Sequence, residues 1–326
     1  MSTISSFEKI FDLEMRRFFK IKKKYFLGLG EDGSRLLSVV ADFISNSGKL
    51  FRPALFYFAF TSHNRNISLA KKQCLIFEFI HSFWLIHDDL IDQAELRRGK
   101  QTVHKKYNLA TAVLGGNLAL MLADEIFYGM QPSSKLQKIY DSFKQEVLIG
   151  QYLDSIGSTN IQTVMELKTA RYSFVRPVEI GLQMAGVDGK TVAYWKKLMH
   201  RIGMTFQLKD DLLGVFGDVK KIGKSADSDL IEGKNTLLIQ LFEETAPPRD
   251  REEFSKRFKK SGLNKKDCEY LKSLLIKNNI PKEIQTKISN EIGKLIKDDA
   301  FKKKTKLSLL VEEILCKIGD MSDLKY

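Results

Sequence analysis

Residues 74–91 read CLIFEFIHSFWLIHDDLI, a run that is apolar on nearly every side until it ends in acids. Such a run marks a helix buried on most of its surface rather than one lying on the outside. A second stretch, residues 202–215 (IGMTFQLKDDLLGV), has the same character and also carries a pair of aspartates among apolar neighbours. Both helices drive acids toward a core, where an unpaired carboxylate is expensive, so the acids need a reason. Elsewhere apolar residues recur at spacings of three and four, and sustained alternation is hard to find, so the chain is predicted to be all-α.

The rest of the composition agrees. There are 326 residues, 43% of them hydrophobic, enough for a substantial core. Only 6 prolines interrupt the chain, which leaves room for helices of many turns. Breaks fall near residues 28–33, 62–66, 97–101, 131–134, 157–160, 186–189, 214–229, 246–249 and 278–281, and none resembles a flexible linker. Residues 1–326 are therefore read as a single domain, with a motif-bearing core at about 48–240 and a basic helical part at 250–326. Cys74, Cys268 and Cys316 have neither metal-ligand spacing nor a paired framework, which fits a reducing, cytoplasmic setting. The opening segment breaks its apolar residues with charge, unlike a signal peptide, and no stretch reaches the roughly 18 apolar residues that would span a bilayer. Phe7, Phe11, Phe18 and Phe19 near Lys20–Lys24 are expected to form the first helix of the bundle rather than a membrane-lying one.

The net charge of +13 raises the question of nucleic acid. Residues 251–306 hold 17 Lys/Arg against 8 Asp/Glu, which is 9 of the 13 excess charges, far from the acid pairs and with few interleaved aromatics. That pattern reads as a solvated helical surface, and no nucleic-acid partner is expected.

Asp88 and Asp92 are four apart, hence on one helix face at about 6 Å, while Asp89 projects elsewhere. By itself HDDLID reads as surface acids at a helix end. Five residues after Asp92, however, come Arg97-Arg98-Gly99, whose guanidiniums can each fork onto a phosphate group. Magnesium is usually held by one or two carboxylates plus substrate phosphates, so two acid clusters suggest a diphosphate clamped through metal. Lysines beside glycines or at helix ends (Lys49, Lys168, Lys224, Lys234) are individually weak signals.

Together these residues closely resemble the trans-prenyltransferase (polyprenyl synthetase) family over roughly residues 48–240. The likeness rests on GKLFRP, EFIHSFWLIHDDLIDQAELRRGKQTVH, GQYLD, KTARYSF, FQLKDDLLGVFGD and GKSADSDLIEGKNTLL, in that order. The resemblance implies an all-α isoprenoid-synthase bundle around a central cavity, the two acid clusters facing across its mouth. It implies that Asp88, Asp92 and Asp210 hold magnesium, three ions with substrate bound, with Asp211 and Asp154 in support. Arg97, Lys168, Thr169, Gln207, Lys224 and Lys234 would grip an allylic diphosphate (dimethylallyl, geranyl or farnesyl), and Lys49, Arg52, His81 and Arg98 would bind isopentenyl diphosphate, with Phe206 alongside. His81 lies seven residues before Asp88 and so shares its face, whereas His87 reads as structural. The resemblance also implies a homodimer.

The implied reaction ionises the allylic diphosphate, adds the isopentenyl alkene to the cation and then loses a proton. Phe83 and Trp84 precede Asp88 by five and four residues, where large rings shorten a cavity, so farnesyl diphosphate is the expected product, with geranylgeranyl diphosphate second. Three departures stand out: Gly214 replaces the third aspartate of the second cluster, Asn117 replaces a common aspartate, and ILCKIGDMSDLKY lacks an arginine-containing ending. The exchange at Gly214 is expected to reduce local charge rather than abolish activity. A terpene cyclase would need neither the 48–53 segment nor a second Asp-Asp pair, and a non-catalytic subunit of a heteromeric synthase would be expected to have lost one cluster.

Overall fold

The computed structural model describes residues 3–46, 48–218, 227–258 and 262–325. Helices dominate them: α1 (Thr3–Gly28), α2 (Glu31–Ser45), α3 (Phe51–Thr61), α4 (Ile67–Ile91), α5 (Val103–Lys106), α6 (Leu109–Tyr128), α7 (Ser134–Ser155), α8 (Ile161–Val164), α9 (Arg176–Met184) and α10 (Gly189–Phe216). A π-helical segment, Met165–Val175, joins α8 to α9. Shorter helices follow between Ser228 and Gly319. Among the described residues the named strands are a single two-residue pair, Leu96–Arg97 with Lys100–Gln101.

The chain divides into two compact units, one of residues 1–142, 176–196 and 304–313, the other of residues 143–175, 197–303 and 314–326. In the first, α4 packs along α6 and α3 packs on α4 and α9. Asn66 starts α4 by accepting from the Leu69 amide at 3.0 Å, and Asn108 starts α6 by accepting from Thr111 at 2.8 Å. Residues 73–80 of α4 are all buried, Gln73 and Glu78 together with their apolar neighbours. The first helix belongs to this core: Ile4, Phe7, Phe11 and Met15 are buried along one face, and Phe18 and Phe19 pack on Phe79. That arrangement matches the bundle reading of the opening segment.

One expectation needs correction. Helix α6, 20 residues with a mean hydropathy of 1.4 over its best window, is long and apolar enough to cross a membrane. Its small residues Ala112, Ala119 and Ala123 are wholly buried and the helix packs along α4, so part of its apolar content serves close helix packing, while Leu114, Met121 and Tyr128 stay exposed.

In the second unit the basic stretch forms helices Pro248–Ser255, Lys265–Lys277 and Ile280–Leu295. Many of its cations are paired locally, Lys256 with Glu252 and Glu253, Lys287 with Glu283, and Lys277 with the buried Asp250. The chain end docks here too. Leu324 bridges to Gly217, the Asp218 amide donates to the Asp323 carbonyl at 2.8 Å, and Lys325 pairs with Asp218 at 2.9 Å.

Candidate active site

The acids of the first cluster occupy the last turn of α4, with Asp92 as its C-cap. Carboxylates there face the negative end of the helix dipole as well as each other, so the position favours a cation between them. Asp88 is partly buried, and Asp89, pointing away from it, is 1% exposed. Asp89 accepts from the Arg97 Nε at 2.6 Å, while the Arg97 Nη2 stands 3.5 Å from Asp88. Arg97 thus bridges both acids, and Asp89, which the spacing left without a role, is what aims it. Asp89 and Arg97 are eight residues apart across a helix end, beyond any helical spacing rule, so the sequence carried no signal for the pair.

Between the two short strands the loop is Arg98-Gly99, with φ of +52° and +76°. Two successive left-handed residues make the turn that tight hairpins prefer. Glycine tolerates that region readily; arginine does so at about 1 kcal/mol. Arg98 as a whole is exposed, while its guanidinium donates to the Asn46 carbonyl at 2.6 Å and lies over Gly48, where a Cβ would meet Nη2 at 3.0 Å, so that it is covered on one side. Burial pulls the Arg98 pKa down from its usual value, although nearby Glu78 and Asp89 oppose this. Leu50, the N-cap of α3 between Lys49 and Arg52, also has a left-handed φ, +49°. Two non-glycine residues are therefore held in disfavoured backbone next to predicted anion-binding residues, the pattern of strain at functional sites.

Further down α4, Phe83 sits edge-on to Trp84 and to His87, each at 4.6 Å between centroids. The Trp84 Nε1 is buried with no hydrogen-bond partner among the described residues. His87 contacts the Val113 carbonyl at 3.3 Å, which requires its Nε2 to carry the proton, and burial lowers its pKa, so the ring is neutral packing as expected. His81 is partly buried almost two turns before Asp88.

The second cluster lies in the other unit and is built on close helix contact. A Cβ on Gly203 of α10 would meet the Ala170 Cα at 2.5 Å, and one on Gly150 of α7 would meet the Lys168 amide at 2.7 Å. Each glycine lets backbone approach the π-helical segment, and each precedes a polar residue by one turn. Four residues after Gly203, Gln207 accepts from the Thr169 hydroxyl and donates to Asp211 Oδ1 at 2.7 Å. Four residues after Gly150, Asp154 accepts from Lys168 at 2.5 Å.

Asp211 is 4% exposed, and its other oxygen, Oδ2, has no hydrogen-bond partner among the described residues. Burial pushes its pKa up to about 8; the Gln207 hydrogen bond opposes this, and the charges of Asp229 and Asp210 add to it. Asp210 itself is exposed. Phe206 packs on Phe174 at 5.3 Å, and Lys234 pairs with Glu232 at 2.5 Å. Lys224 lies outside the described residues. The neighbouring Lys209, unremarked in the sequence, is buried and donates to the carbonyls of Lys317 and Asp320, closing the end of the helix Lys306–Gly319.

Among the described residues no three His, Cys, Asp or Glu side chains converge closely enough to form a metal site unaided. Oxygen donors in twos, next to guanidinium and ammonium groups, fit instead a hard cation shared with a phosphate ligand. These are the features of an all-helical protein with two acid pairs and a strained arginine hairpin.

Comparison with known proteins narrows this. The polyprenyl synthetase family model matches residues 34–275. The chain is 30% identical over 250 residues to the geranylgeranyl diphosphate synthase of Sulfolobus acidocaldarius, covering 72% of this chain and 74% of that protein. It is 31% identical over 222 residues to the farnesyl diphosphate synthase of Micrococcus luteus, covering 64% and 76%. The structure of the Corynebacterium glutamicum geranylgeranyl pyrophosphate synthase complexed with isoprenyl diphosphate and magnesium aligns with a TM-score of 0.84 at 23% identity, over 96% of this chain and 98% of that one. The chain belongs to the polyprenyl synthetase family and is a trans-prenyl diphosphate synthase, a prenyltransferase.

Proposed function

We propose that this enzyme condenses isopentenyl diphosphate with an allylic diphosphate, dependent on magnesium, to give farnesyl diphosphate chiefly and geranylgeranyl diphosphate second. The observation that carries the reading is the Asp88–Arg97–Asp89 arrangement at the end of α4, beside the strained Arg98. Carboxylates at the negative end of a helix, with a guanidinium already between them, suit a metal–diphosphate assembly and little else. The Corynebacterium relative, crystallised with magnesium and isoprenyl diphosphate, supports the choice of metal. Relatives named for both geranylgeranyl and farnesyl products leave chain length to the residues of this chain.

Asp88 and Asp92 would hold metal, as would Asp210, with Asp211 and Asp154 in support. A magnesium ion held by these carboxylates would supply positive charge to offset that of the diphosphate leaving group. Arg97, Lys168, Thr169, Gln207, Lys224 and Lys234 bind and orient the allylic diphosphate, and their fixed charges favour the departing group over the intact ester. Lys49, Arg52, His81 and Arg98, with Phe206 alongside, hold isopentenyl diphosphate so that its alkene meets the allylic cation. Thr169 and Lys168 are tethered in advance by Gln207 and Asp154, which limits the motion needed on binding. Apolar walls keep water from the cation, and the released diphosphate can accept the proton lost at the end. Phe83 and Trp84 form the floor that stops the growing tail.

A homodimer is proposed as the working form, in a cytoplasmic setting. Its support is a stripe on α6: Leu114, Met121 and Tyr128 recur every seventh residue and are 54%, 66% and 42% exposed.

Incubating the purified chain with isopentenyl diphosphate, magnesium and, separately, dimethylallyl, geranyl and farnesyl diphosphates tests the proposal. Product should form with at least one and run chiefly at the farnesyl length. No product with any of the three would sink the reading. Asp88→Ala should abolish turnover and leave the helical circular dichroism unchanged.

A further inference from the structure

The exchange at Gly214 has a structural counterpart. Gly214 follows Asp210 by four residues on α10, so its side-chain position lies on the same face, about 6 Å along. That is where a third acid of the cluster would project, matching the spacing of Asp88 and Asp92. A Cβ built on Gly214 would overlap the carboxylate of Asp229, whose Oδ2, Cγ and Oδ1 are its three nearest atoms, with Oδ1 at 2.9 Å. The space beside Gly214 is filled by an acid from another part of the chain.

Asp229 is held there by its backbone. It lies in the helical turn Ser228–Ile231, beside the wholly buried Leu230, and its carbonyl accepts from the Lys234 amide at 2.9 Å. Two residues earlier, Asp227 is paired with Lys272. A second observation bears on the same place: the buried Asp211, next to Asp210, leaves its Oδ2 without a hydrogen-bond partner among the described residues and is close enough to Asp229 and Asp210 to feel both charges.

We infer that Asp229 supplies the third carboxylate of the second acidic cluster, and that residue 214 is glycine because that carboxylate occupies its side-chain space. Asp210 and Asp229 then present the same pairing along α10 that Asp88 and Asp92 present along α4, with one acid delivered from a neighbouring turn instead of from the helix itself. The ligand class is a divalent cation bridged to a diphosphate. The inference rests on the proposed metal-dependent reaction, and names which side chains of this protein meet that ligand.

The test uses the full chain without substrate, probed with magnesium and inorganic pyrophosphate by calorimetry, alongside thermal unfolding of the metal-free protein. Gly214→Ala, which in an unobstructed helix interior would raise stability, should lower the melting temperature by roughly 3 °C or more. Gly214→Asp should lower it further, and adding Asp229→Ala to Gly214→Asp should restore both the melting temperature and magnesium–pyrophosphate binding. Asp229→Asn, nearly equal in shape, should keep the melting temperature while weakening magnesium–pyrophosphate binding about tenfold or more. Asp229→Asn binding with the parent's affinity, or Gly214→Asp as stable as the parent with Asp229 in place, would overturn the inference. Failure of the parent to condense isopentenyl diphosphate would instead remove the proposed reaction, and leaves the stability exchange between residues 214 and 229 to be read on the metal-free chain.

Discussion

Arg98 is a residue whose structural liability and proposed task are the same fact. Its φ of +52° disfavours a side chain with a Cβ, but asparagine tolerates that region better than arginine does. Arg98→Asn is therefore expected to hold or raise the melting temperature while raising the KM for isopentenyl diphosphate by tenfold or more, of the order of one charge-assisted hydrogen bond. A fall in both stability and affinity would mean that the guanidinium serves packing alone. Asp211 gives a pH prediction. Its folded pKa of about 8 lies above the 3.8 of a free carboxyl, so between those values the folded state keeps a proton that the unfolded state has lost. Stability from this group is full at low pH and declines as pH rises toward 8, by about 1–3 kcal/mol in the metal-free protein. Asp211→Asn should flatten that slope in unfolding curves at pH 5 and pH 8.5; an unchanged slope would show that the carboxyl titrates normally. At Trp84, truncation to alanine should lengthen the product by one or more five-carbon units, measured by chromatography. An unchanged product distribution would remove the aromatic floor.

At the scale of elements, the second cluster depends on how closely α10 lies against the π-helical segment. Gly203 sets that distance, since a Cβ would press on the Ala170 backbone. Gly203→Val should force the helices apart, destabilise the protein by about 1–3 kcal/mol, and break the Thr169–Gln207 contact. Turnover should fall more than stability accounts for, which comparison of kcat well below the melting temperature would reveal. The helices themselves, α4 and α10 above all, were legible from their apolar runs because burial on every side leaves a compositional mark. The π-helical register of Met165–Val175 was not, since a short widened stretch leaves no periodic mark in the sequence, and the close approach of Gly150 and Gly203 to it is a tertiary contact. The hairpin at residues 96–101 was read only as a break, because two-residue strands are too short to show alternation.

At the scale of the whole molecule, the stripe of Leu114, Met121 and Tyr128 bears on assembly. Leu114→Glu combined with Met121→Lys should convert a dimer to a monomer, seen by light scattering at the same protein concentration. A monomeric parent would dismiss the stripe as an interface. Family membership was also legible at this scale, since six motifs in order along residues 48–240 carry it, and the matched region extends to residues 34–275.

By itself, then, the sequence determined the helical class, the positions of both acid pairs and the family, because these follow from local periodicity and from motifs contiguous in the chain. Only the tertiary structure decided that Asp89 aims Arg97, that Lys209 closes a distant helix end, and that the space beside Gly214 is filled by Asp229. Each of those is a contact between residues separated along the chain, made by whichever backbone the packing brings near, and no spacing rule within one helix encodes it.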